Sequence, residues 1–276
     1  MGNGKRYLVA ADLEGIHGVV GVPYETLNGA PDFEIAKVNA AKEINAVVRA
    51  LYDSGASRVD VWANHGGADN LDYPSVDPRA TIVPRNTERL YRRFYFIPEG
   101  ERYDGMILLG YHSREGTVGG VLAHTYNSKG IQYYKLNGRA IGEIEFDSYV
   151  AGYLGFSTIL VASDDICVNQ AKETLPKIET VITKYGKGRN AADFRESEVV
   201  LADLYAATLR AIERVPAPLS LDFPCSFEIR TTRIEDAAIK YERYKERGIE
   251  ATYGEDGHVL CLTLRNMDEM QSLLFL

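Results

Sequence analysis

Three histidines and three acidic residues stand where short apolar runs end, and their types suit a buried metal centre. Asp12 and Glu14 close the run Tyr7-Leu8-Val9-Ala10-Ala11. His65 follows the run Arg58–Ala63, and His112 follows Leu108-Leu109-Gly110-Tyr111. His124 ends Gly120-Val121-Leu122-Ala123, and Glu143 follows Ile141-Gly142. In open α/β sheets ligands gather at the carboxyl ends of the strands. Carboxylate oxygens and imidazole nitrogens drawn from several such ends suit a first-row divalent cation, zinc above all. Asp12 and Glu14 are two residues apart, so at a strand end they point to one face. One carboxylate could then serve two cations while the other serves one.

Each of these residues alone has a plainer explanation. Asp12 can cap a loop, and Glu14 can be a solvated rim residue. His65, in Asn64-His65-Gly66-Gly67, reads as a hydrogen-bonded loop residue. His112 follows a run so apolar that it is either a satisfied core group or a ligand. Glu143 can favour a helix dipole, and His124 has no local signature. Taken together the plainer explanations weaken, because strand-end placement would bring Asp12, His65 and His112 to one edge of one sheet. The pattern favours a metal-dependent hydrolase. His17 reads as a loop hydrogen-bonding group, or a group supporting the ligands; His258, in Asp256-Gly257-His258, reads as solvent-facing.

The elements that must position these residues alternate strand and helix. Arg6–Ala11 and Arg58–Ala63 are expected strands, and Thr81–Val83 a weaker one. Between the first two, Ile35, Val38, Ala41, Ile44, Val47, Val48 and Leu51 recur at helical spacing, with Gly55 as the stop. A short helix is expected around Glu88–Phe94. Gly105–Gly110 is nearly free of polar residues and reads as a fully buried strand. Gln132–Leu136 and Arg139–Ile141 flank Asn137-Gly138, a preferred hairpin turn. A helix over Gly142–Tyr153 and a buried strand over Thr158–Ala162 follow, with Asp164-Asp165 able to cap the next helix. Beyond about Pro176 the expected elements are a long amphipathic helix over Ser197–Arg214, strands at Phe227–Thr231, Ala251–Tyr253 and Val259–Leu264, and helices at Glu235–Arg247 and Met267–Leu274. The fold class is therefore α/β: a layered, mostly parallel sheet flanked by helices, with a smaller α+β C-terminal subdomain. The expected division is 1–175, carrying the metal site, and 176–276. Gly15-Ile16-His17-Gly18 has neither dinucleotide-loop spacing nor a P-loop lysine.

The 276 residues carry a net charge of -8 and 45% hydrophobic residues, as a globular chain does. An acidic surface argues against nucleic acid or an anionic membrane as the partner. Met1-Gly2-Asn3-Gly4-Lys5-Arg6 leads straight into the first strand, without an apolar signal segment. Cys167, Cys225 and Cys261 are odd in number and widely spaced, making neither a disulfide framework nor a CxxC knuckle. These features lead to the expectation of a cytoplasmic protein.

In the order Asp12-Leu13-Glu14-Gly15, His65, Leu109-Gly110-Tyr111-His112, Gly120-Val121-Leu122-Ala123-His124, Gly142-Glu143 and Tyr149-Val150-Ala151-Gly152-Tyr153, the chain resembles the zinc D-aminopeptidases, metallopeptidase family M55. Ala162-Ser163-Asp164-Asp165 adds to the likeness, which is good from about Tyr7 to Leu175. The resemblance implies two Zn2+ per subunit. By it, Asp12 bridges both ions, Glu14 and His112 complete one, and His65 and Glu143 complete the other. His124 matches the family's catalytic histidine. The resemblance also implies a homo-oligomer, a decamer of two five-membered rings, and a short peptide substrate with a D-residue at its N-terminus. The sequence departs from the family at Ala10, where serine is frequent, at Trp62-Ala63 before Asn64-His65, and at His17, which replaces a small residue.

The function expected is thus dinuclear zinc aminopeptidase activity. Two alternatives stay open at this point: a metal-dependent hydrolase of another amide or ester bond, and a non-catalytic dipeptide-binding ring protein.

Overall fold

The computed structural model describes residues 4–21, 29–84 and 93–275. Its strands in chain order are β1 (Arg6–Ala11), β2 (Arg58–Ala63), β3 (Thr81–Ile82), β4 (Gly105–Leu109), β5 (Ile131–Leu136) and β6 (Arg139–Ile141). They continue with β7 (Thr158–Asp164), β8 (Glu179–Gly188), β9 (Ala191–Phe194), β10 (Cys225–Thr231), β11 (Glu250–Tyr253) and β12 (Val259–Leu264). The helices are α1 (Phe33–Asp53), α2 (Glu143–Tyr153), α3 (Asp165–Thr174), α4 (Ser197–Glu213), α5 (Ile234–Glu246) and α6 (Met267–Ser272), the last running into a 3-10 turn, Leu273–Phe275.

One sheet has the order β3-β2-β1-β4-β7-β8-β9. All its pairings are parallel except that of β9 with β8. The second sheet, β11-β12-β10-β5-β6, is antiparallel. Strand alternation divides the first sheet's side chains between two cores. Tyr7, Val9 and Ala11 of β1 and Ile107 and Leu109 of β4 join α1 and α4 on one face. Leu8 and Ala10, with Met106 and Leu108, face α2 and the second sheet through Phe146, Val150, Tyr134 and Phe227. Strands covered on both faces are apolar along their whole length, and β4 and β7 are buried at every residue.

Local chemistry sets several boundaries. Asp164 accepts the Cys167 N–H at 2.9 Å and so caps α3. Glu145 accepts the Gly142 N–H at 2.8 Å, which fixes the start of α2 one residue past the expected glycine. Asn137 and Gly138 both have positive φ, as the two-residue turn between β5 and β6 requires.

The structure corrects three expectations. In α1, Ile35 and Val38 are exposed, and the buried face runs through Phe33, Ala36, Ala40 and Glu43 instead. The stripe is rotated because α1 packs between the sheet and α4, where small alanines allow close approach. Strands β8 and β9 were not expected; their half-polar sequence hides the pattern. His258 is half-buried, with Nδ1 3.2 Å from the Thr231 carbonyl, rather than facing solvent. A cut at residue 175 passes through both sheets, since β8 and β9 belong to the first and β5 and β6 to the second. The short helix expected around Glu88–Phe94 lies mostly outside the described residues. Among those residues no helix is long and apolar enough to cross a membrane.

Candidate metal centre

Asp12 and Glu14 leave the carboxyl end of β1, His65 that of β2, and His112 that of β4, three adjacent strands. Two glycines let the connections after β1 and β4 touch. Gly110 has φ +76°, and a Cβ there would fall 2.6 Å from the Asp12 carbonyl oxygen. A Cβ on Gly15 would fall 2.2 Å from the Tyr111 carbonyl oxygen. Without side chains at these positions, Gly15 N–H reaches the Gly110 carbonyl at 2.7 Å, and Asp12 N–H reaches Leu109 at 2.8 Å. Glu143 comes from elsewhere: it opens α2, which crosses the end of the sheet from the second-sheet side. Its Oε1 accepts the Tyr126 N–H at 2.7 Å.

All six residues singled out in the sequence converge. Candidate ligand atoms fall into three overlapping groups, each with atoms within 4.8 Å of one another: Asp12, Glu14 and His65; Asp12, His112 and Glu143; Glu14, His112 and His124. Asp12, Glu14, His65, His112 and Glu143 are buried, and His124 is nearly so. Nε2 of His65 lies 3.4 Å from Glu14 Oε1, and Nε2 of His112 lies 3.2 Å from Glu143 Oε1. Glu14 thus lies close to His65 and also within the same group as His112. The resemblance had paired Glu14 with His112 and His65 with Glu143. His17 stands apart, its Nε2 2.7 Å from the Arg195 carbonyl and its N–H on Glu43 at 2.6 Å.

The imidazoles are oriented as ligands are. His112 Nδ1 faces the Ser113 carbonyl at 3.0 Å and His124 Nδ1 faces that of Leu122 at 2.9 Å, so each carries its proton there. Nε2 of each ring is then the atom turned toward the carboxylates. The two rings stack at 3.8 Å and 13°. Nε2 of His112 and Nδ1 of His65 are buried without a hydrogen-bond partner. Buried polar atoms are rarely left so.

The electrostatics follow from crowding. Burial pushes the Asp12 carboxyl well above its usual range, and Glu14 and Glu143 push it further. Burial works the same way on Glu14 and Glu143, but histidines outweigh it: chiefly His65 for Glu14, held well below the carboxylate range, and His112 for Glu143. Burial pulls His112 down, yet Glu143 and Glu14 raise it to about 9. Burial and then the neighbouring His112 depress His124. Three carboxylates in one dry pocket thus favour the protonated forms of Asp12 and His112, and a divalent cation would compete with those protons.

Sequence reasoning passed over the groups behind these six. Asp147 lies four residues past Glu143 on one helix face, which is a weak signal; Arg93 and Lys184 carry none. Arg93 pairs with Asp147, while Lys184 Nζ donates to the Glu14 carbonyl at 2.5 Å.

Comparison with known proteins agrees with this architecture. The family model described as D-aminopeptidase, Peptidase_M55, matches residues 6–253. A D-aminopeptidase of Bacillus subtilis (strain 168) is 28% identical over 187 residues, 66% of this chain and 65% of that protein's length. The chain thus matches just under two thirds of that relative. The solved structure of the Zn-dependent D-aminopeptidase DppA from Bacillus subtilis, a self-compartmentalizing protease, superposes with a TM-score of 0.85 at 24% identity, over 98% of this chain and 95% of that one. The likeness in structure extends through the C-terminal hundred residues, where the motifs are silent. With its model matched from the first strand to the eleventh, the chain belongs to the D-aminopeptidase family, Peptidase_M55.

Proposed function

We propose that the chain is a dinuclear zinc aminopeptidase that releases N-terminal D-residues from short peptides. The observation that carries the reading is the convergence of oxygen and nitrogen ligands into overlapping groups, with two imidazole nitrogens buried and unpartnered. That donor set, hard oxygens with borderline imidazole, fits zinc. Family membership and the zinc dependence of the superposed relative support the choice.

In this reading Asp12, Glu14, His65, His112 and Glu143 would hold the cations. When bound, such a pair supplies an activated water at neutral pH and polarises the scissile carbonyl. The remaining work belongs to side chains. His124, neutral at pH 7 because burial and His112 depress it, presents Nε2 to the same pocket. It accepts the proton of the attacking water and returns it to the departing amine nitrogen. The Leu122 carbonyl holds the ring in the tautomer this needs. Arg189 donates to the Ala123 carbonyl, and the Leu122 N–H donates to Arg189, which ties the His124 loop to the β8–β9 turn. The relative described as self-compartmentalizing supports a homo-oligomer, and the assembly we propose is a decamer.

The test is hydrolysis of paired D- and L-aminoacyl dipeptides and amides by zinc-loaded protein, with and without chelator, beside a measurement of mass in solution. Chelator-sensitive cleavage of the D-series by a particle of about ten subunits is expected. His124→Ala should keep its zinc and lose roughly 10²-fold or more in turnover. Cleavage of L-substrates alone would move the specificity. Two bound zinc ions without cleavage of any substrate would reject the aminopeptidase reading.

A further inference from the structure

Behind the ligands lies a buried polar cluster that no ligand role explains. Asp147 is fully buried on α2, one turn after Glu143. Arg93 grips it with a fork, Nε to Oδ1 at 2.8 Å and a terminal nitrogen to Oδ2 at 2.5 Å. The same terminal nitrogen of Arg93 donates to Asn64 Oδ1 at 2.9 Å, and the guanidinium lies 4.5 Å from the Trp62 ring centroid. Tyr111 donates its hydroxyl to Asp147 Oδ2 at 2.8 Å, and Tyr126 reaches Oδ1 at 3.3 Å. Asn64 Nδ2 in turn donates to the Tyr111 hydroxyl at 2.6 Å.

Each arm of this cluster ends beside a candidate ligand. Asn64 directly precedes His65, and Tyr111 directly precedes His112. Tyr126 gives its backbone N–H to Glu143, and Asp147 shares a helix face with it. The three candidate ligands come from two strand ends and a helix with no covalent tie between them. A buried ion pair is a poor way merely to fill a core, since apolar groups of equal volume stabilise as well or better. Its advantage is geometric: the planar fork fixes direction as well as distance.

We propose that Arg93 and Asp147 are positioning residues for the metal centre, locking His65, His112 and Glu143 into register with one another and so setting its affinity for zinc. The proposal rests on the two-cation reading above. Groups that orient metal ligands from behind change affinity by roughly 10–100-fold when removed.

The experiment compares Asp147→Asn and Tyr111→Phe with Ser148→Ala. Ser148 is buried on the same helix but bonds Thr158 instead of the cluster. Each full-length protein is stripped of metal, titrated with Zn2+ against a competing chelator, and melted in its metal-free form. The expected result is zinc binding weakened about 10–100-fold in both cluster variants and unchanged in Ser148→Ala, whatever each does to the metal-free melting point. Tyr111→Phe removes one hydroxyl and leaves the ion pair, so it carries the test if Asp147→Asn does not fold. Wild-type affinity in the folded cluster variants, or an equal loss in Ser148→Ala, would overturn the inference alone. A wild-type chain that takes up no zinc would overturn the two-cation reading and the inference with it.

Discussion

At the scale of single residues, Glu43 shows how a buried acid ties the molecule to pH. It sits on the inner face of α1, 2% exposed, accepting the His17 N–H at 2.6 Å through Oε1 while Oε2 has no hydrogen-bond partner. A small cavity lined by His17, Asn39, Lys42, Ser197, Val200 and Leu201 lies beside it. Burial raises its pKa from 4.5 to about 7, against the pull of the His17 N–H and of Lys184. Between those two values the folded protein binds a proton that the unfolded chain has released. Glu43 therefore contributes most below pH 4.5, and its contribution falls as pH rises through about 7. A displacement of that size corresponds to about 3 kcal/mol. Glu43→Gln keeps the oxygen that His17 needs and removes the titration. Denaturant unfolding at pH 5 and pH 8 should show the variant gaining stability over the parent by about 2.5 kcal/mol more at the higher pH. An equal difference at both pH values would mean that Glu43 is charged and solvated in the fold. Nothing in the sequence marks this residue: the helical pattern placed Ile35 and Val38 inward, and one acid among several along α1 looks solvated. Asp12, His65 and His112 were legible because each ends an apolar run, a local signal. Arg93 and Asp147 were not, because their meaning lies in partners 54 residues apart.

At the scale of elements, the turn that carries Glu14 is held from the far side by a strand the sequence concealed. Lys184, fully buried in β8, donates from Nζ to the carbonyls of Glu14, Ile16 and Val19 at 2.5, 2.7 and 2.5 Å. Thr183 beside it donates to the Gly15 carbonyl at 2.6 Å. An ammonium has three donors, so one side chain can replace the ladder that a turn of six residues, Glu14 to Val19, cannot make for itself. β1, β2, β4 and β7 were readable because burial on both faces leaves mostly apolar residues. β8 was not, because its end wraps a loop and must supply polar groups inward while its other face meets solvent. Lys184→Met preserves the stem and leaves carbonyls in a dry interior without their donor. Each such group costs about 1–3 kcal/mol, so urea unfolding should show a loss of about 3 kcal/mol or more. The loss should be accompanied by weaker zinc uptake, because the backbone of Glu14 is freed. A midpoint within error of the parent would show that water replaces the ammonium and that the turn holds its own shape.

At the scale of the whole molecule, the candidate metal centre draws on both sheets at once, and this bears on where the chain can be divided. Asp12, Glu14, His65 and His112 hang from the parallel sheet, whereas Glu143 and Tyr126 approach from the side of α2 and the antiparallel sheet. A fragment ending at residue 175 would keep all six candidate site residues. It would lose β8 and β9, turning β7, buried at all its residues, into an open edge. It would also lose Val200, Leu204, Ala207 and Ala211 of α4, which cover α1, and Phe227 and Ile229 of β10, the strand that pairs with β5. Removing strands from one end of each sheet exposes apolar area on both faces of the layer that carries the candidate ligands. The fragment is therefore expected to aggregate or to melt without a cooperative transition, and to bind zinc no better than an unfolded chain. The full-length protein is expected to unfold with one. Circular dichroism melts of the two proteins, each with and without Zn2+, decide the matter. A 1–175 fragment that melts sharply and shifts upward with zinc would establish an independent catalytic domain and reduce the later strands to an accessory layer.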